Sequence, residues 1–166
     1  RYCASNFGHR YIDAKDWTLK VTGVANEREF TLEELYELPM TERTYVAACG
    51  ANAVGSYQIA NVPAKGILIE DLIEACGGLV DGATSIDVQC YDNWNCFGGN
   101  KDLDYCLREG AMLVLEEWGE PLPPEQGYPA MWVVPGSPAF DWNKWVTEIN
   151  FEDAPAVYSN FHEFMG

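Results

Sequence analysis

The residues able to do chemistry are few. Six cysteines (Cys3, Cys49, Cys76, Cys90, Cys96 and Cys106) and two histidines (His9 and His162) stand in a chain of 166 residues. An even cysteine count permits up to three disulfides in fifteen connectivities. Cys90 and Cys96 flank one turn, so a cross-hairpin bridge is expected there if their Cα atoms come within about 7 Å. The competing reading is a reduced protein whose thiols are inert core groups, because free cysteine is among the most buried residue types. Asp92, Asn93, Asn95, Asp102 and Asp104 offer hard oxygens of the kind calcium takes. Their spacing fits no EF-hand loop, and a hairpin turn followed by a helix N-cap accounts for them. The two histidines form neither a pair at metal spacing nor part of a Ser-His-Asp set.

These residues must be positioned by short regular segments. Residues 17–23 alternate apolar with polar and end at Gly23, the pattern of a half-buried strand. Thr31 with Glu34 three residues on is a capping box, Phe30 and Leu35 can form its staple, and Pro39 stops the helix. Residues 41–49 read as a strand arriving at a glycine-containing loop, 49–55. Residues 66–69 lead into a second short helix over 70–76, with an acidic start and Gly77 at its C′ position. Residues 85–92 and 95–98 read as a hairpin turning at Asn93-Trp94, and 102–108 as a third helix. Strands follow over 110–117 and 130–136, separated by a Pro-rich loop over 119–127, and 144–151 alternate again. Trp132 and Trp145 fall in these strands and are expected in the core. Residues 1–16 form an N-terminal arm and 152–166 a tail in which Tyr158, Phe161 and Phe164 are spaced to dock as one helical turn or to contact a partner. The whole of 1–166 is expected as one domain. Strands outnumber helices, and the helices are too short for serial βαβ crossovers, so the class is α+β: a β-rich mixed sheet core with short flanking helices.

Composition excludes several functions. Ten Lys and Arg against twenty-six Asp and Glu leave a net charge of −16, and the basic residues never cluster. Neither a phosphate backbone nor an anionic membrane surface is a suitable partner. The chain is 48% hydrophobic and 13% aromatic, too rich for disorder. Its longest apolar runs fall far below the ~18 residues that cross a bilayer. The acidity, the cysteines, six Trp and nine Tyr fit an exported protein, periplasmic or extracellular. The chain begins at Arg1 with neither an initiator Met nor a signal peptide, as a mature or trimmed exported chain would.

The order of segments resembles a known family. Leu19, Val21 and Gly23; Phe30 to Leu35; Cys49 with Asn52 three on; Gly66 to Gly77; Gly119-Glu-Pro-Leu-Pro123; Gly127-Tyr-Pro-Ala130; Val133-Val-Pro-Gly136; and Lys144-Trp-Val146 together resemble the molybdopterin-binding domain of the sulfite oxidase family. The resemblance runs in order from about residue 17 to 151. It implies the sulfite-oxidase-type fold holding one molybdenum-pyranopterin, with Cys49 supplying a thiolate to the metal. It further implies Asn52, Gly136, Lys144 and His9 or Arg10 beside the cofactor, and Trp94 as a wall of the substrate pocket. A thiolate between small neighbours, Ala48, Gly50 and Ala51, suits a soft metal carrying a bulky ligand.

The implied reaction is two-electron oxygen-atom transfer to or from a small oxoanion or an S- or N-oxide. Electrons would pass to a separate redox protein, since no Cys-x-x-Cys-His motif occurs in these residues. Two departures from the family point to an alternative, a cofactor-free, disulfide-stabilised binding or scaffold module. Residues 50–56 contain no basic side chain where the family places an Arg. Residues 137–143 place Asp141 where a phosphate should be held.

Overall fold

The computed structural model of the chain describes residues 10–49, 52–91 and 100–157, and Phe140 by its backbone only. His9, Trp94, Cys3, Cys96 and His162 lie outside that range. So do the predicted turn at Asn93-Trp94, the 95–98 strand, and Tyr158, Phe161 and Phe164.

Two sheets carry the fold. In one, β1 (Leu19–Thr22) pairs antiparallel with β2 (Arg28–Phe30) and parallel with β10 (Val146–Glu152). Beyond β10 lie β5 (Ser85–Cys90) and β6 (Lys101–Asp102), giving the order β2-β1-β10-β5-β6. The second sheet runs β3 (Thr41–Ala48), β4 (Ile59–Leu68), β7 (Met112–Glu117) and β8 (Glu120–Pro121), with β9 (Met131–Val133) also on β7. Three short helices flank them: α1 (Leu32–Tyr36), α2 (Ile69–Ala75) and α3 (Leu103–Glu109). The α+β class follows directly. No helix among the described residues is long and apolar enough to cross a membrane.

The capping box forms as its spacing dictates. Thr31 Oγ1 accepts from Glu34 N at 3.2 Å, and the Glu34 carboxylate accepts from Thr31 N at 2.8 Å. Phe30 and Leu35 are both buried in the main core, where inward positions of the first sheet and of β7 and β9 meet α2 and α3. Each such side chain contributes about 1.5–3 kcal/mol on burial. Trp132 and Trp145 are buried as expected. Asp102 caps α3, its carboxylate accepting from Tyr105 N at 2.6 Å. That is the N-cap role expected of it; Asp92, Asn93 and Asn95 lie outside the described residues, among which no cluster of three or more His, Cys, Asp or Glu side chains suited to a metal occurs.

Two expectations need correction. Residues 66–69 are expected only to lead into α2, with no strand assigned before them, yet β4 starts at Ile59 and runs through Pro63 to Leu68. Pro63 stands opposite Thr44, one residue off the hydrogen-bonded rungs, so its missing N–H faces away from β3. On its other side only its carbonyl is needed, accepting from Trp118 N at 2.9 Å. The second correction concerns disulfides. No disulfide forms among the described residues; Cys76 and Cys106 are free thiols inside the main core, with no solvent exposure. Cys90, also buried, accepts a hydrogen bond at its sulfur from Asn143 Nδ2 at 3.2 Å, and its expected partner Cys96 is outside the described range.

Burial pushes the Cys106 thiol up to about 12, and raises that of Cys76 as well. Both therefore stay protonated and shielded at about pH 8.5, the ordinary thiol value. Iodoacetamide at that pH is expected to modify neither in the folded protein and both in urea, as read by peptide mass spectrometry. Equal labelling with and without urea would contradict the closed core.

Candidate functional site

β3 and β4 keep one register from Thr41↔Gly66 to Ala48↔Ile59. Side chains alternate along a strand, so Tyr45 and Ala47 face inward together and Cys49, two residues on, continues that face. The ladder extends one rung past the strand, with Cys49 N donating to Gln58 O at 3.0 Å. Cys49 is a free, partly buried cysteine whose backbone is anchored by that bond. The following loop is tied back to it. Asn52 N donates to Cys49 O at 2.9 Å, and Asn52 Oδ1 accepts from Gln58 N at 2.9 Å. Asn52 is thus beside Cys49, with its carboxamide oxygen engaged in the loop.

The face that Cys49 continues carries a second, smaller core that includes Tyr45, Ala47, Val62, Val114, Val133 and Trp142. A bulge in β7 adds a polar group to it. The pairing passes from Lys65↔Glu116 to Gly66↔Val114, skipping Leu115, so Glu117 joins Val114 on this face. Glu117 is only 5% exposed and accepts from the Tyr45 hydroxyl at 2.5 Å. The Trp142 ring meets Tyr45 edge-on, with centroids 4.9 Å apart. Its indole N–H donates to Val134 O at 3.0 Å and to Ser137 Oγ at 3.1 Å. The segment between β9 and β10 is therefore pinned over the inward face of β3.

Gly136 lies in that segment at φ +87°, in the turn closed by Ser137 N donating to Val134 O at 3.2 Å. The left-handed conformation suits glycine, as the Pro135-Gly136 pair predicts. Lys144 lies at the far end of the segment. Its ammonium donates to Glu125 O at 2.8 Å and sits 5.7 Å from the centre of the Trp145 ring. Gly127, at φ +108°, lets the 124–127 turn approach so closely that a Cβ there would fall 2.9 Å from that of Lys144. Asn143 and Trp132 exchange backbone hydrogen bonds of 3.1 and 2.8 Å, which seats Lys144 beside β9. Arg43, on β3, donates to Gly110 O at 3.0 Å at the end of α3. Asp141 lies within reach of Tyr105, whose phenol is pushed up by burial first and then by Glu109, Cys106 and Asp141.

The expected site residues therefore fall at two places, Cys49 with Asn52 at the end of β3, and Gly136 with Lys144 in the segment between β9 and β10. His9 and Trp94 are outside the described range. Sequence reasoning missed Tyr45 and Glu117 and gave Trp142 no role. The sequence shows two consecutive carboxylates, Glu116 and Glu117, after the apolar run Met112–Leu115, and nothing in that order says which of them turns inward.

A sequence profile described as the oxidoreductase molybdopterin binding domain matches residues 6–160. The chain belongs to that family. This molybdopterin-binding domain is similar to the inducible nitrate reductase [NADH] 2 of Glycine max, at 26% identity over 160 residues, covering 81% of the chain and 18% of that protein. It is also similar to the nitrate reductase [NAD(P)H] of Hordeum vulgare, at 27% over 163 residues, covering 82% and 18%. The chain thus spans under a fifth of the length of these curated relatives. In structure it is similar to the sulfane dehydrogenase SoxCD from Paracoccus pantotrophus, with a TM-score of 0.80 and 26% identity over 92% of this chain and 42% of that one. The sulfite-oxidase-type fold is therefore the fold of this domain.

The donor chemistry at the end of β3 fits the family's cofactor, since molybdenum takes a soft sulfur donor and Cys49 is a free, partly buried cysteine on an anchored rung. Lys144 brings a cation to the far end of the segment between β9 and β10.

The Tyr45–Glu117 bond is a buried polar tie on this apolar face, and removing one partner of a buried hydrogen bond costs ~1–3 kcal/mol. Tyr45→Phe is expected to lower the unfolding free energy by about that much. Urea denaturation would measure it, and an unchanged midpoint would show that the buried carboxylate draws no net support from the tyrosine.

Proposed function

We propose that this domain binds a molybdenum-pyranopterin through the Cys49 thiolate and serves oxygen-atom transfer on a small substrate. The observation that carries the reading is the free Cys49 thiol, held on an anchored rung at the edge of the face that the 137–143 segment covers. When bound, the cofactor supplies a metal that exchanges an oxygen atom with substrate in a two-electron step. The chain's own residues hold and orient. Cys49 anchors the metal, Gly136 shapes the turn, and Lys144 contributes positive charge to the phosphate by exchanging its Glu125 carbonyl contact for it.

Net charge bears on the substrate. At −16 the domain repels anions, which favours a neutral S- or N-oxide over an oxoanion. Electrons pass to a redox protein outside these residues, and the acidic composition favours export to the periplasm or the cell exterior. One observation favours a second reading, a cofactor-free binding module. Residues 137–143 carry Asp141 and no basic side chain, and the ammonium of Lys144 is already held by a carbonyl.

Metal and pterin content after expression in a host that makes the cofactor decides between the two. The first reading expects close to one molybdenum per chain, falling sharply in Cys49→Ser; full retention in that variant would sink the ligand assignment. Asp141→Arg should tighten pterin retention and Lys144→Ala weaken it, the pair differing by more than tenfold at low salt if one charge-assisted bond of ~1.5–3 kcal/mol is at stake. Pterin and metal absent from the wild type would favour the binding module.

A further inference from the structure

Cys49 and Gln58 stand where an antiparallel ladder would form a hydrogen-bonded pair, each residue giving its N–H to the other's carbonyl. Only half of that exchange is made. Cys49 N donates to Gln58 O at 3.0 Å, but Gln58 N donates instead to Asn52 Oδ1 at 2.9 Å, and the Cys49 carbonyl so released accepts Asn52 N at 2.9 Å. The three bonds close a ring that runs Cys49 to Gln58 to Asn52 and back to Cys49. A side-chain amide has taken the place of a backbone carbonyl at the last rung. The loop is further drawn in by Ser56 N donating to Ala53 O at 2.9 Å.

We infer that Asn52 is a positioning residue for the Cys49 thiolate, acting through this ring rather than by touching the cofactor. The inference rests on the reading of Cys49 as metal ligand. Its physical content is that both peptide groups of Cys49 are fixed, its N–H by Gln58 and its carbonyl by Asn52. The Cα–Cβ bond of Cys49 therefore has one direction, on the inward side of β3, and the sulfur is confined to the staggered positions about it. Asparagine suits the position because its short side chain carries an acceptor oxygen that reaches the N–H of Gln58, six residues on across the loop. Leucine has similar bulk and no acceptor. Aspartate keeps the acceptor.

Two measurements test this, one on the cofactor-free protein and one on the loaded protein. In the first, amide hydrogen exchange at Gln58 is followed by NMR. Loss of a hydrogen bond worth ~1 kcal/mol corresponds to about fivefold faster exchange. Asn52→Leu is expected to show at least that acceleration, with Asn52→Ala measured alongside in case leucine prevents folding. Asn52→Asp is expected to restore slow exchange. In the second, molybdenum per chain should follow the same order, with wild type and Asn52→Asp retaining it and Asn52→Leu and Asn52→Ala losing it. Unchanged Gln58 exchange in both leucine and alanine variants would overturn the ring. Loss of molybdenum in Asn52→Asp with Gln58 still protected would overturn the indirect role and make Asn52 a cofactor contact. Full metal retention in Cys49→Ser would instead fail the functional reading, leaving the exchange result to judge the ring by itself.

Discussion

The register between β3 and β4 decides where the Cys49 sulfur faces, and most of the site follows from it. Because side chains alternate along a strand, a shift of one residue would turn Tyr45, Ala47 and Cys49 to the opposite face together. The register is held by apolar pressure. Tyr45, Ala47, Val62 and Ala64 are all buried on one face, while Glu42, Thr44 and Val46 face solvent on the other. A slip would expose the first set and bury the second. The bulge in β7 then adjusts the neighbouring strand so that Glu117, rather than Glu116, meets Tyr45.

The covering segment between β9 and β10 depends on that face in turn. Trp142 packs edge-on to Tyr45 and holds Val134 and Ser137 through its indole N–H. Asn143 joins the segment to β9 through Trp132 and to β5 through Cys90. β10, which starts immediately after, runs parallel to β1 and antiparallel to β5 at the centre of the first sheet. The segment that covers the candidate site is therefore suspended between the two sheets, with buried attachments at both ends.

Electrostatics reinforces this arrangement more by placement than by strength. Several of the basic side chains pair with carboxylates at the surface, as in Lys20 with Glu148 and Arg28 with Glu34, both at 3.0 Å. Such exposed pairs contribute ~0–1 kcal/mol. Arg43 and Lys144 instead serve backbone carbonyls, at the end of α3 and in the 124–127 turn. They hold elements in place, and any anion arriving near Lys144 competes with Glu125 for its ammonium.

Local features were legible from residue order alone. The Thr31–Glu34 box, the acidic start of α2, the Asp102 cap of α3 and the Pro135-Gly136 turn each involve residues within a few positions of one another, so their chemistry is written in short windows. The ordered motifs from Leu19 to Val146 likewise pointed to the family and its fold. The β4 strand through Pro63 was not legible, because whether a missing N–H matters depends on which neighbour it would face. Nor was the state of Cys76 and Cys106, since burial in a shared core is a property of packing. The sequence by itself determined the helices, the caps and the cysteine at the strand's end. Only the tertiary structure decided that Cys49 shares a face with Tyr45 and Trp142, that Glu117 turns inward, and that Asn52 closes the rung. Those relations join residues distant along the chain, and they exist only once register, bulge and loop are set together.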